Sequence, residues 1–260
     1  MKIVCLLKQV PDTTEIKINF ETGTLIRDGV KSIMNPDDRA GLEEALKIKD
    51  LNGAHVTVVT MGPPQAELML KEALAMGADE AILVSDARFA GADTWATSST
   101  LAGVLNKIDY DMIIAGRQAI DGDTAQVGPQ TAEKLKIPHV TYVEKIIEVN
   151  DKFVVVHRQF EDSYHVIKVA LPCLLTALTE MNAPRYMSTY GIVDAYNHEI
   201  IRWNLDDIEV DHSNIGLNGS PTKVRKTFTK EASLKADLFE GSEREAAHLI
   251  VSELKKRNLV

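Results

Sequence analysis

The feature that most constrains the fold is a regular alternation of apolar runs and amphipathic segments across residues 2–135. The apolar runs are short and nearly continuous, as in buried parallel strands, and they cover residues 2–7, 55–61, 80–85 and 111–115. Apolar side chains recur at helical spacing between these runs, in residues 35–53, 63–78, 94–108 and a last segment that ends near Leu135. Strands that alternate with helices over short loops predict an α/β fold with a doubly wound parallel sheet.

The pattern changes after Pro138. Three strand-like segments follow one another with turn residues between them, and they cover residues 140–149, 152–161 and 164–171. They predict an antiparallel extension of the sheet, after which residues 171–178 return to a buried strand. A hairpin is predicted within residues 15–29. We expect an α/β domain over residues 1–195 and an extended C-terminal arm over residues 196–260.

The arm combines a stretch with little core material, residues 204–221, with an amphipathic helix predicted over residues 242–257. Ser242 and Glu245 form a capping box at the start of this helix. Its apolar face carries Ala247, Ile250, Val251 and Leu254. The pattern allows two placements equally well, one on another protein and one on the chain's own domain.

Composition argues against several classes of protein. The formal net charge of −9 argues against nucleic-acid binding, which needs a basic surface. No apolar run approaches the ~18–20 residues that cross a bilayer, so we expect no membrane insertion. Cys5 and Cys173 lie inside apolar runs, which is typical of buried reduced thiols in a cytoplasmic protein. The seven histidines lack paired i, i+4 spacing, so no metal site is predicted.

The polar segment best placed to bind a ligand is GRQAIDGDTAQVGP, residues 116–129, because it follows a predicted strand and opens a predicted helix. Ligands bind beyond the carboxyl ends of parallel strands, and amides at a helix start bind anions. The two acids, Asp121 and Asp123, allow two interpretations. They act as turn former and helix N-cap, or the backbone amides and Thr124 bind a phosphate while an acid faces the sugar or the loop.

Sequence motifs for direct catalysis are missing. The chain contains no G-x-x-x-x-G-K-[ST], no G-x-G-x-x-G and no G-x-S-x-G. We therefore predict no catalytic side chain and expect that a bound cofactor supplies the chemistry.

Several motifs in combination resemble the β subunit of electron-transfer flavoproteins. They are KIVCLLKQVPDT, MNPDD, VVTMGPPQAE, EALAMGAD, GRQAIDGDTAQVGP, V-x-R-Q-F-E, LPCLLTA and APRYM, which together extend over residues 1 to about 230. The chain departs from the family pattern at Asp162-Ser163-Tyr164-His165. The resemblance implies an adenine-nucleotide-binding, HUP-like sheet and a heterodimer with an α subunit, on which the C-terminal arm packs.

The resemblance also implies a set of nucleotide-binding positions. Position by position they are Leu6, Asn35, Pro36, Asp37, Asp38, Met61, Asp121, Gly122, Asp123, Thr124, Ala125, Gln126, Val127, Gly128, Pro129, Gln130, Thr131 and Ala132. The adenine and ribose would lie near the first six positions, and a pyrophosphate would bind the amides of residues 123–128. The family's docking loop for dehydrogenases matches residues 178–187, so that docking is expected near Met181–Tyr186. Met181 is expected at the apolar tip, with a core position as the alternative.

Two classes of this family differ in the nucleotide. DGDTAQVGP at 121–129 and ADTWATS at 92–98 resemble the electron-bifurcating class, in which the site holds FAD. That class implies NADH as the substrate of the complex and ferredoxin as one electron acceptor. The second electron acceptor would be reached through an acyl-CoA, enoyl-CoA or lactate dehydrogenase. Asp93 and Thr94 are then expected near the flavin ring. The alternatives are a non-bifurcating electron carrier with structural AMP, and a stand-alone nucleotide-binding protein of the universal-stress type.

Overall fold

A nine-stranded sheet forms the centre of the fold in a computed structural model of the chain, which describes residues 1–12, 17–18, 25–26, 31–222 and 238–260. In spatial order the strands are β11 (Tyr164–Ala170), β10 (Phe153–Gln159), β9 (His139–Val149), β12 (Cys173–Ala177), β8 (Met112–Gly116), β1 (Lys2–Leu6), β6 (His55–Met61), β7 (Glu80–Val84) and β13 (Ile201–Trp203). Every neighbouring pair from β9 to β13 is parallel, whereas β10 is antiparallel to both β9 and β11.

The described residues contain six α-helices. They are α1 (Pro36–Asn52), α2 (Glu67–Met76), α3 (Thr94–Leu105), α4 (Val127–Leu135), α5 (Thr189–Asn197) and α6 (Glu243–Lys256). Residues that favour helix termini lie at both ends of α1. Pro36 occupies its first turn, and Gly53 ends it with a left-handed φ of 67° while its amide donates to the Lys49 carbonyl at 2.8 Å.

Two short antiparallel ladders lie beside the main sheet. One pairs β2 (Gln9–Pro11) with β5 (Ser32–Met34), and the other pairs β3 (Lys17–Ile18) with β4 (Leu25–Ile26). The second ladder agrees with the predicted hairpin, and the rest of residues 15–29 lies outside the described residues.

Helices cover both faces of the sheet, which confirms the predicted fold class. Alternate residues of β1 point to opposite faces, so that Ile3 and Cys5 join one core cluster and Val4 and Leu6 join the other. The first cluster includes buried side chains of α1 and α2, such as Leu42 and Leu70. The second includes buried side chains of α3 and α4, such as Leu105 and Ala132.

The strand order places a topological switch point between β1 and β8. From β1 the chain moves outward through β6 to β7, and α3 then returns it to β8 on the other side of β1. The loops that leave the carboxyl ends of β1 and β8 therefore diverge to opposite faces and leave a crevice between them, where ligands of such sheets bind.

The segment after residue 188 contains more structure than its sequence indicates. Helix α5 packs on α2, and β13 adds a parallel strand to the edge of the sheet. Leu205, Ile208 and Ile215 are buried in the second core cluster, although residues 204–221 were expected to hold little core material. The reason is that single apolar residues between short turns leave no periodic pattern.

Contacts divide the chain into one unit of residues 1–225 and another of residues 226–260. The domain boundary between residues 195 and 196 stays a prediction.

Helix α6 belongs to the second unit and shows the expected capping box. Ser242 Oγ accepts the Glu245 amide at 3.4 Å, and the Glu245 carboxylate accepts the Ser242 amide at 2.8 Å.

Close packing of α4 on the sheet gives a first testable consequence. A Cβ at Gly128 would lie 2.8 Å from Cγ2 of Thr176, whereas a Cβ at Gly122 would meet no heavy atom within 4 Å. We expect Gly128→Ala to lower the free energy of unfolding in urea by about 1–3 kcal/mol, because overpacking forces the helix away from the strand. The matched variant Gly122→Ala should stay within about 0.5 kcal/mol of the wild type. Equal effects of the two substitutions would contradict this packing.

Candidate functional site

The predicted segment 116–129 starts at the switch point, and its residues 116–126, here called the nucleotide loop, precede α4. It leaves the carboxyl end of β8, adjacent to the end of β1, and leads to the first turn of α4. The start of α1 lies against the same strand ends, because side chains at its first turn bond to residues that follow both strands. Three segments that are distant in sequence therefore form one site.

Asp38 joins the two strand ends. Its carboxylate accepts the amide of Lys8 at 2.7 Å and the amide of Gly116 at 2.9 Å. Only glycine fits at position 116, because a Cβ there would lie 2.2 Å from Asp38 Oδ1. Burial raises the pKa of the Asp38 carboxyl to about 7, although hydrogen bonds from Asn35, Lys8 and Gly116 act in the opposite direction.

Asn35 and Asp37 hold the residues that follow Gly116. The Asn35 side chain donates to the Gln118 carbonyl at 2.8 Å and accepts the Ile120 amide at 3.2 Å. Asp37 accepts the Gln118 amide at 3.3 Å and lies 3.4 Å from Arg117 Nε. Main-chain groups of the loop that lack secondary-structure partners are thus satisfied by side chains of α1 and its cap.

These contacts change the interpretation of the first six predicted positions. Asn35, Asp37 and Asp38 are buried, and their side chains form hydrogen bonds with main-chain groups of the protein itself. Pro36 is the first residue of α1. Leu6 is buried in the second core cluster, and Met61 packs against that cluster while half-buried. The structure brings all six positions to the carboxyl ends of the strands, and it gives the polar ones a role in holding the loop.

The two acids of the loop are paired within the protein. Lys8 Nζ donates to Asp121 Oδ1 at 2.7 Å, and Gln118 Nε2 donates to Asp123 Oδ1 at 3.0 Å. Gln126 is the N-cap of α4, so the alternative of Asp123 as N-cap is wrong. The cause is a left-handed φ of 50° at Asp123, followed by one of 53° at Ala125, which directs the chain through another turn before the helix begins.

This backbone path leaves a row of amide donors available. The Asp123 amide donates to the Ala119 carbonyl at 2.9 Å. The amides of residues 124–128 have no acceptor among the residues that the structure describes. Amides with this arrangement at the start of a helix bind anions, because the donors and the positive end of the helix dipole act together. A left-handed alanine is strained, and such strain concentrates at ligand-binding segments.

The remaining predicted positions, residues 128–132, lie on α4 and are buried or half-buried. Gly128 is buried against β12, and Pro129 has no amide hydrogen to donate. Thr131 and Ala132 are fully buried, and Thr131 Oγ1 donates to the Val127 carbonyl at 2.7 Å. Their contacts are therefore with the sheet and the helix, and the open part of the site consists of residues 121–127.

The second predicted motif, residues 92–98, meets the loop directly. Thr94 Oγ1 donates to Gln126 Oε1 at 3.0 Å, and Ser98 Oγ donates to Gln130 Oε1 at 3.2 Å. Asp93 is the N-cap of α3, where it accepts the Ala96 amide at 3.0 Å. Its carboxylate also accepts the amide of Thr222 at 2.9 Å. Burial opposes ionisation of Asp93, but these hydrogen bonds prevail and lower its pKa.

Residues that were not named as binding positions from the sequence complete the site. Lys8 pairs with Asp121, Gln118 pairs with Asp123, and Arg117 lies beside Asp37. Their only sequence signal is their position directly after predicted strands.

Among residues 1–12, 31–222 and 238–260, no group of three or more His, Cys, Asp or Glu side chains is placed to hold a metal ion. No described helix is long and apolar enough to cross a bilayer.

The predicted docking loop, residues 178–187, is attached to α1. The Asn182 side chain donates to the Ala40 carbonyl at 3.0 Å, and Arg185 Nε donates to Glu43 Oε2 at 2.9 Å. Met181 packs against the first core cluster while half-buried, so it does not form the exposed tip. Tyr186 is 93% exposed and takes that position.

The fold and the site together define an α/β protein whose loop at the switch point leaves several amides without an acceptor in the described residues. Comparison with known proteins identifies the family. A model described as electron transfer flavoprotein domain matches residues 22–208. The chain is 55% identical over 260 residues to the electron transfer flavoprotein subunit beta of Clostridium acetobutylicum. It is 56% identical over 263 residues to the caffeyl-CoA reductase-Etf complex subunit CarD of Acetobacterium woodii. It is 42% identical over 269 residues to the acryloyl-CoA reductase electron transfer subunit gamma of Anaerotignum propionicum. All three matches cover 100% of both chains.

The chain therefore belongs to the electron transfer flavoprotein family, in which it is similar over its full length to the beta subunit. This confirms the resemblance that its motifs indicate. The alternative of a universal-stress-type protein is set aside.

The buried position of Asp38 predicts a pH dependence of stability. Its pKa of about 7 in the folded chain lies above the value of about 3.9 expected in an unfolded chain. Its contribution to the free energy of unfolding is therefore present below about pH 4 and is lost as pH rises through about 7. We expect the stability of the wild type relative to Asp38→Asn to fall by on the order of 2 kcal/mol between about pH 5 and pH 8. Urea unfolding at several pH values measures this difference, and a difference that does not change with pH would contradict the assignment.

Proposed function

We propose that the chain is the β subunit of an electron-bifurcating electron-transfer flavoprotein and that its loop binds FAD. The observation that carries the proposal is the row of amides at residues 124–128, which lack a protein acceptor in the described part of the chain. These donors fit the pyrophosphate of a dinucleotide. The contact between Thr94 and Gln126 adds support, because it joins the two motifs that resemble the bifurcating class.

The charges of the site are compatible with a bound pyrophosphate. Asp121 is paired with Lys8 and Asp123 with Gln118, so that neither carboxylate needs to face the phosphates. The amide of Asp123 is bonded to Ala119, which moves the start of the proposed pyrophosphate site from residue 123 to residue 124. The adenine and ribose would lie beside Leu6, Met61 and the loop that α1 holds. The flavin ring would extend toward Asp93 and Thr94.

The role of this chain is to bind and orient the cofactor. When bound, FAD would accept a hydride from NADH and deliver one electron toward the α-subunit FAD and one to ferredoxin. No side chain of the site need act as an acid or base in this proposal, and Asp38 and Asp93 are both held by amides. The protein would act through fixed donors and a fixed loop, which require no reorganisation when charge develops.

The names of the relatives support a reductase or dehydrogenase as partner. One relative is a subunit of a caffeyl-CoA reductase-Etf complex, and another is an electron transfer subunit of an acryloyl-CoA reductase. For this chain we propose a cytoplasmic complex with an α subunit and a dehydrogenase of the acyl-CoA, enoyl-CoA or lactate type. The apolar face of α6 would pack on the α subunit.

An exposed apolar surface fits the dehydrogenase-docking proposal. It begins at Tyr186 and continues on α5 with Tyr190, Val193 and Tyr196, all of which are at least 62% exposed. Exposed apolar patches of this kind mark protein interaction sites. The docking surface would therefore extend from the predicted loop onto α5.

The nucleotide in the β site separates bifurcation from simple electron transfer. We expect the native αβ complex to contain two flavins per heterodimer, measured by absorbance after denaturation and by mass spectrometry of the released nucleotides. One flavin together with one AMP per heterodimer would contradict the bifurcation proposal and favour the electron carrier with structural AMP.

Substitutions in the open part of the loop test where the nucleotide binds. Gly122→Val introduces a side chain where the protein leaves open space, and Thr124 is exposed. We expect Gly122→Val and Thr124→Trp to lower the β-site nucleotide content of the purified complex at least about tenfold. A tenfold loss corresponds to about 1.4 kcal/mol of binding free energy. The α-site flavin should remain. Ser163→Trp, at an exposed turn of the antiparallel extension, is the control and should retain both nucleotides. Full nucleotide content in both loop variants would show that the pyrophosphate binds elsewhere.

Docking can be tested at Tyr186. Because its side chain is 93% exposed, Tyr186→Ser should leave the free energy of unfolding within about 0.5 kcal/mol of the wild type. Loss of an aromatic anchor should raise the dissociation constant for the partner that co-purifies with the complex by about tenfold or more, measured by biolayer interferometry. Leu68→Ser on α2, also exposed, is the matched control. Equal affinities of the two variants would place docking on another surface.

A further inference from the structure

Helix α1 contacts both loops to which the proposed function assigns a role. Near its start, Asn35 and Asp38 bond to Gly116, Gln118 and Ile120 of the nucleotide loop and to Lys8, which follows β1. Further along, α1 bonds to the docking loop, residues 178–187. The two loops are therefore attached to one rigid element.

Asp37 is the residue that belongs to both sets of contacts, and its two oxygens divide between them. Oδ1 accepts the Thr179 amide at 3.0 Å and also accepts the Thr179 hydroxyl. Oδ2 accepts the Gln118 amide at 3.3 Å and lies 3.4 Å from Arg117 Nε. The carboxylate is buried, so these partners replace the water that would otherwise solvate it.

The rest of the docking loop is fixed by residues that do not touch the nucleotide loop. Glu43 is buried and accepts the Arg185 amide at 3.0 Å and Arg185 Nε at 2.9 Å. Glu44 accepts the Asn182 side chain at 3.1 Å. These contacts anchor the loop at Asn182 and Arg185, whereas Thr179 is held by Asp37.

We propose that Asp37 couples nucleotide binding to the order of the docking loop. The inference rests on the proposed nucleotide site. A nucleotide on the amides of residues 124–128 restrains the loop back to Gln118, and a restrained Gln118 fixes the Asp37 carboxylate. A fixed carboxylate holds Thr179 and so the start of the docking loop. The coupling is reciprocal, so a dehydrogenase that orders residues 178–187 would also strengthen nucleotide binding. Asp37 acts as a positioning residue, because it reaches both partners through main-chain groups.

Hydrogen–deuterium exchange of the αβ complex tests this coupling. The complex is stripped of its β-site nucleotide and measured with and without added FAD, with AMP in a second series. In the wild type, we expect FAD to slow exchange in residues 117–128 and to slow exchange of the Thr179 amide by about tenfold, within the usual range of coupling between sites. Protection of 117–128 without any change at Thr179 would overturn the coupling. Absence of protection in both stretches would refute the nucleotide site itself, and with it the coupling.

Three variants separate coupling from general loosening. In Asp37→Asn only one side-chain oxygen remains, so we expect the nucleotide to protect residues 117–128 but to change exchange at Thr179 by less than about twofold. Thr179→Val, which keeps the amide and removes the hydroxyl, should reduce the coupling with less effect on stability. Glu43→Gln is the matched control, since it loosens Arg185 and should leave the nucleotide effect at Thr179 intact. Loss of that effect in Glu43→Gln, or its survival in Asp37→Asn, would contradict the role of Asp37.

Discussion

The structure depends on the buried polar side chains at the start of α1. A switch point separates the loops that leave β1 and β8, and the main-chain groups at these strand ends need partners. Asp38 joins the amides of Lys8 and Gly116 across the crevice, and Asn35 fixes both a carbonyl and an amide of the following loop. Buried hydrogen bonds of this kind are costly to leave unmade, so they define one loop conformation. The position of every amide that faces the crevice follows from them.

The same contacts explain how a loop with two acids remains suited to an anion. Repulsion between a carboxylate and a phosphate would dominate if Asp121 and Asp123 faced the ligand. Lys8 neutralises the first acid, and Gln118 together with a left-handed backbone directs the second away from the start of the helix. The amides of residues 124–128 are then left without a protein acceptor in the described part of the chain. This arrangement is compatible with either FAD or AMP, and the motifs at 92–98 and 121–129 favour FAD.

Local sequence patterns predicted the strands and helices whose formation depends mainly on residues that are neighbours in the chain. Nearly continuous apolar runs identified β1, β6, β7, β8 and β12, and a capping box identified α6. The loop after β8 was recognised because a polar, glycine-containing segment between a strand and a helix falls at the carboxyl edge of the sheet. Helix α5 and strand β13 were missed because they are short and half-exposed. Their position depends on packing against α2 and β7.

The roles of individual polar residues were harder to predict, because they rest on contacts between distant parts of the chain. Asp37 and Asp38 suit the first turn of any helix, so their type and position give no sign of partners 78 to 142 residues away. Met181 is apolar in a loop, which fits an exposed tip as well as the core position that it occupies. Asp93 caps α3 and holds Thr222, and its place near a flavin ring stays a prediction. For Asp37, Asp38 and Met181, tertiary hydrogen bonds or packing decide between two locally equivalent roles.

The most direct test of this site is a crystal structure of the native αβ complex with its own β-site nucleotide. We expect phosphate oxygens within about 2.7–3.2 Å of amide nitrogens of residues 124–128. Asp37 and Asp38 should keep their bonds to Thr179, Gln118, Lys8 and Gly116 and make no contact with the nucleotide. A nucleotide whose phosphates lie away from these amides, or whose sugar displaces those bonds, would contradict the proposal that α1 holds the loop and the loop holds the ligand.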